Sequence, residues 1–80
     1  MLSDRERIVL RLIASGYTQG QIAYALRIHR RTVEEYCNRV FAKLGAVSSP
    51  HAVALGIKSK EISLDEIHDF PRVSVFSTTR

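Results

Sequence analysis

Between Arg30 and Lys43 the chain reads RRTVEEYCNRVFAK, a stretch dense in side chains that can hydrogen-bond to a polyanion or to the edge of a base. Arg30 and Arg31 suit phosphate oxygens or the O6/N7 edge of guanine, and Asn38 suits an adenine edge. Arg39 and Lys43 suit phosphates. For each of these the plain alternative is a solvated helix face. Glu34 and Glu35 have the opposite sign. They either accept from cytosine N4 or simply favour the helix dipole, and Glu35 is also spaced to pair with Arg39 four residues on. Other chemistries find no residues to carry them. There is no nucleophile–base pair, no phosphate-cradling glycine loop and no cluster with metal-ligand spacing. The histidines His29, His51 and His68 lie far apart, and Cys37 is the sole cysteine. Neither catalysis nor a metal nor a cofactor is expected.

Those side chains share a face only if the segment is helical. Val33, Tyr36, Cys37, Val40 and Leu44 form one stripe, with Phe41 at its edge, and Arg31, Glu34, Glu35, Asn38 and Ala42 form the opposite one. A helix is predicted from Arg30 or Arg31 to Leu44, closed by Gly45, with Lys43 near the negative end of its dipole. Ahead of it, Thr18 and Gln21 have capping-box spacing and predict a helix over about 19–26. Its buried face is Ile22, Ala23 and Leu26, and Ile28 plugs the turn that follows. Gln19 begins this helix and can touch a phosphate backbone, whereas Gln21 serves as a cap.

The remaining elements brace that pair. Ser3 and Glu6 form another capping box, with Asp4 and Glu6 also favouring the positive end of the dipole. The helix they start covers about 4–15, buries Ile8, Val9, Leu12 and Ile13, and ends at Gly16. Ser49 as cap and Pro50 at the first helical position predict a fourth helix to about Ser59. Within it Ala52 and Gly56, one turn apart, leave a smooth strip for another backbone. Ser63 to Glu66 is a further capping box, predicting a short helical turn to about His68 that Pro71 stops. The end, VSVFSTTR, alternates like a strand. The expected fold is all-α: a four-helix bundle with a central helix-turn-helix and a short C-terminal extension. The domain is placed at 1–60 and the extension at 61–80.

Eighty residues allow one domain, and its modest core calls for efficient packing or a partner. The net charge of +4 is uneven, with +6 over residues 1–60 and −2 over 61–80. A basic compact part suits a nucleic-acid partner, though many small domains are basic for solubility. A lone cysteine fits a reducing cytoplasm, where the chain is expected. No apolar run approaches a membrane span, so no membrane partner is expected, and the N-terminus lacks a signal-peptide core.

The pieces LSDRE (Leu2–Glu6), VLRLIASGYT (Val9–Thr18), IAYAL followed by Ile28, the pair Thr32–Val33, KLG (Lys43–Gly45) and AV (Ala52–Val53) together resemble the LuxR-type (GerE/FixJ-type) DNA-binding domain of bacterial transcription regulators. The likeness runs over about 2–58 without a gap. It implies a recognition helix over about 31–44 in the major groove and base-contacting positions at Glu34, Glu35 and Asn38. Gln19, Arg30, Arg31, Thr32, Arg39 and Lys43 complete the expected DNA-binding set. In the family the last helix packs against that of a second copy, which places a dimer face on Ala52, Val53, Gly56 and Ile57. Departures fall on the outer side of the third helix. The family usually has serine where His29 stands and lysine where Glu34 stands. It often has histidine at Tyr36 and arginine at Ser49, and a glycine is common where this chain has Arg27. Because LSDRE is the first cap of such a domain, a small stand-alone protein is expected, with no sensing domain ahead of it.

Two functions of different class follow. One is a sequence-specific regulator that binds double-stranded DNA as a homodimer. The other is a protein-interaction module that keeps the fold, pairs with another regulator or RNA polymerase, and modulates it without a DNA site of its own. The arginines favour the first and the Glu34–Glu35 pair favours the second.

Overall fold

The computed structural model describes residues 1–66. Four helices occur there, with no strand among the described residues: α1 (Asp4–Ala14), α2 (Gln19–Leu26), α3 (Arg30–Leu44) and α4 (Ser49–Lys58), followed by a single 3₁₀ turn over Leu64–Glu66. The anticipated continuation to His68 and the strand-like end at 73–80 lie outside the described residues.

Local chemistry sets the helix ends. At α1 the Glu6 amide donates to Ser3 Oγ at 3.2 Å while the Ser3 amide donates to Glu6 Oε1 at 2.9 Å. At α2 the Gln21 amide donates to Thr18 Oγ1 at 3.2 Å, and the Thr18 amide donates to Gln21 Oε1 at 2.8 Å. Both capping boxes satisfy amides that the helix itself leaves unpaired. α3 begins at His29 without a side-chain cap and ends at Gly45, whose φ of 73° is the left-handed turn a glycine adopts at low cost. The turn between α2 and α3 is tighter. Arg27 takes φ 58° and ψ 45°, and the Ile28 amide then reaches back to the Ala23 carbonyl at 3.1 Å. The cap of α4 is Ser48 and not Ser49: Ser48 Oγ accepts from the His51 amide at 3.3 Å, which puts Pro50 within the first turn.

The core divides into two clusters on either side of α1. Val9 packs with Ile22, Val33 and Cys37, and Leu12, Ile13, Leu26, Ile28 and Tyr36 close around them. This cluster locks the helix-turn-helix. Leu10 packs instead with Leu2, Val40, Ala52 and Ile62 on the side of α4. Here the expected stripe needs correction. Leu10 is fully buried, whereas Ile8 is only half-buried and belongs to neither cluster. A stripe tuned to one partner omits Leu10 because α1 faces two partners, with adjacent positions turned about 100° apart.

The same packing uses up the small residues of α4. Ala52 is fully buried, and a Cβ added at Gly56 would lie 2.7 Å from Leu10 Cδ2. Ala52 and Gly56 therefore admit Leu10 of their own chain, not a second copy. Ile62, 2% exposed, belongs to this cluster, and Glu61 is held by Arg7 at 3.3 Å. The folded unit thus runs past residue 60 to include Ile62. A contrast between neighbours tests this arrangement. Leu10→Ala should lower the unfolding free energy by about 3 kcal/mol and Ile8→Ala by less than half as much, measured by chemical denaturation.

Candidate nucleic-acid interface

The helix-turn-helix turns one long side of α3 to solvent. Arg30, Arg31, Glu34, Glu35 and Asn38 are all exposed, while Val33, Cys37 and Val40 on the opposite side are buried. Thr32 is half-buried beside the first turn. Gln19, at the start of α2, is also half-buried and lies against α3, with its amide nitrogen 3.9 Å from Cys37 Sγ. Burial pushes the Cys37 thiol up from its ordinary value; the Gln19 amide opposes the shift and the nearby charge of Glu34 adds to it. Gln19 and Glu34 thus both lie near the Cys37 thiol, which puts the N-terminus of α2 close to the middle of α3.

Arg39 and Lys43 are placed differently from expectation. Both reach across to Glu6 of α1: Lys43 Nζ donates to Oε1 at 2.8 Å, and Arg39 Nε lies 3.3 Å from Oε2. Arg39 also lies over the Tyr36 ring at 4.9 Å, a cation–π distance. The anticipated partnership of Arg39 with Glu35 gives way to this one. Geometry explains why. A carboxylate whose side chain is only 5% exposed has lost most of its water, whereas Glu35 at the surface keeps its own. Both cations remain about half exposed, so their outer edges still face solvent.

Glu6 is therefore the residue of the interface that sequence reasoning missed. Its capping spacing accounts for its two hydrogen bonds with Ser3, but its contact with Lys43 links positions 37 apart in sequence. No local pattern announces such a contact. The Lys43 hydrogen bond, then the Ser3 amide, lower its carboxyl from 4.5 to about 2 despite the opposing effect of burial. Arg7 forms a separate set of contacts, pairing with Asp4 and Glu61, each at 3.3 Å. Among the described residues no group of three or more His, Cys, Asp or Glu side chains is placed to hold a metal ion. No single helix there is long and apolar enough to cross a membrane.

This geometry can be set beside known proteins. The family model described as "Bacterial regulatory proteins, luxR family" matches residues 1–56. The chain belongs to the luxR family. Among its relatives, the transcriptional regulatory protein FixJ of Rhizobium meliloti is 45% identical over 56 residues, covering 70% of this chain and 28% of FixJ. The transcriptional activator protein BjaR1 of Bradyrhizobium diazoefficiens is 42% identical over 62 residues, covering 78% of this chain and 26% of BjaR1. The chain thus spans little more than a quarter of these luxR-family regulators. A solved VqmA–ligand–DNA complex of Vibrio cholera superposes with a TM-score of 0.72 at 31% identity, over 80% of this chain and 28% of that one. The four-helix architecture with its central helix-turn-helix is therefore that of a LuxR-type DNA-binding domain, and the relatives are transcription regulators.

Acid titration tests the Glu6 network. The folded-state value of about 2 lies below the ordinary 4.5, so the native state binds fewer protons between those limits. The stabilisation is complete above about pH 4.5 and is lost as pH falls toward 2. Glu6→Gln, which keeps an acceptor for the Ser3 amide, should cost about 1–2 kcal/mol at neutral pH. It should also flatten the acid limb of the stability curve, as followed by thermal melts between pH 2 and 7.

Proposed function

We propose that this chain is a transcription regulator that binds double-stranded DNA sequence-specifically, with α3 in the major groove. One observation carries the proposal: in a luxR-family helix-turn-helix, Arg30, Arg31 and Asn38 stand exposed along the outward side of the second helix. Arg30 and Arg31, at its first turn, meet phosphate or guanine, and Asn38, further along the same side, meets a base edge. Gln19 and Thr32 border the groove. Arg39 and Lys43 contribute secondary backbone contacts through the edges that Glu6 leaves free. The complex of VqmA with DNA supports duplex binding by likeness of fold.

Two copies act together in this proposal, because one recognition helix covers few base pairs and useful affinity needs two half-sites. With Ala52 and Gly56 turned inward, the pairing surface is the outer flank of α4. The half-buried Val53 and Ile57 border it, and exposed Val47 lies just ahead of it. A second reading draws on the acidic pair. Glu34 and Glu35 repel phosphate, which suits a module that docks on another regulator or RNA polymerase and never touches a duplex.

Titration against random and genomic duplex at several salt concentrations separates the two. Binding should weaken steeply as salt rises, through counterion release. Absence of any salt-dependent binding at micromolar protein leaves only the second reading. Arg30→Ala should reduce the salt slope by about 1 and weaken all duplexes alike. Arg39→Ala should change the slope by less, because Glu6 already neutralises that guanidinium. An equal effect of the two substitutions would mean that Arg39 leaves Glu6 for the duplex.

A further inference from the structure

The outer face of α3 carries charges of both signs that remain unpaired. Among the described residues neither Glu34 nor Glu35 lies in an ion pair, and neither do Arg30 and Arg31. Arg31 precedes Glu35 by four residues and Glu34 by three, so all three share a face. Arg39, the other cation within one turn of Glu35, is engaged by Glu6 and stacked over Tyr36. The two carboxylates therefore face solvent outside any ion pair among the described residues.

That condition limits what they can face. A carboxylate accepts hydrogen bonds and donates none. On the major-groove edge guanine offers only acceptors, and thymine offers an acceptor and a methyl group. Adenine offers its N6 amino group beside the N7 lone pair, whereas cytosine offers its N4 amino group without an acceptor next to it. Cytosine is thus the base that best satisfies an unpaired carboxylate there. Its partner guanine presents O6 and N7, the edge that an arginine grips with two donors. Arg31 stands one turn before the glutamates to take it.

We infer that Glu34 and Glu35 are specificity-determining residues that select cytosine, with Arg31 on guanine, so that the half-site centres on C·G pairs. The inference rests on the proposed duplex binding and deepens it. Acidity on this helix then restricts binding to sites offering amino groups where the carboxylates fall, and general affinity is lower as a consequence. A mere solvated acidic face would lower affinity equally for every sequence, so the two cases differ in a measurable way.

The test is selection from a randomised duplex pool with the 80-residue chain and with its Glu34→Gln/Glu35→Gln variant. Glutamine keeps the length of glutamate but adds donors, and both sites are exposed, so circular dichroism should show the same helix content. The unsubstituted chain should enrich C·G pairs at the core of each half-site, and replacing that cytosine with thymine should weaken it about ten-fold. The glutamine variant should lose that preference and admit adenine or thymine there. If the variant selects the same sites and binds every duplex more tightly by one common factor, the glutamates only repel and the inference is overturned. If the unsubstituted chain binds no duplex in a salt-dependent way, the proposed function itself fails first.

Discussion

A carboxylate buried at the start of α1 ties the rest of the molecule together. Glu6 has little water of its own, so it needs cations, and the two within reach belong to the middle and end of α3. The same oxygen that caps α1 through the Ser3 amide also holds Lys43. Helix initiation in one element and helix placement in another thus meet at a single atom. Any rotation of α3 about its axis would pull Arg39 and Lys43 away from Glu6 and leave that charge uncompensated. The outer face of α3 is aimed in part from behind.

The apolar core supports that placement from two directions. Val9 fastens α1 to the helix-turn-helix, and Leu10 fastens it to α4 and to Ile62. Leu10 can fill its site only because Gly56 has no side chain, since a Cβ there would meet the leucine at 2.7 Å. A small residue on a short outer helix is easily taken for a contact with a second molecule. Here it serves the fold of one molecule, and the apolar surface left for a neighbour shifts to the flank of α4.

The electrostatic consequence reaches the proposed interface. A count of arginines and lysines along α3 overstates the positive charge it offers to a duplex, because two of those cations answer to Glu6. The outward face is left with a basic first turn and an acidic second one. In the proposed complex, that layout would favour dependence on the bases met over general attraction to phosphate.

Much of this was legible without coordinates. The capping boxes at Ser3–Glu6 and Thr18–Gln21, the closing Gly45 and the amphipathic stripe of α3 all involve residues a few positions apart. Their hydrogen bonds and periodicity depend on local geometry alone. The bounds of α2, the exposure of Arg31, Glu34, Glu35 and Asn38, and the family likeness follow from the same short-range information. Tertiary structure decided the rest. That Leu10 outranks Ile8, that Gly56 receives a leucine of its own chain, and that Arg39 and Lys43 turn to Glu6 are outcomes of contacts between distant positions. Side-chain type and spacing state what a residue is able to do. Only the packing of helices against one another determines which partner loses its water and therefore has to be satisfied.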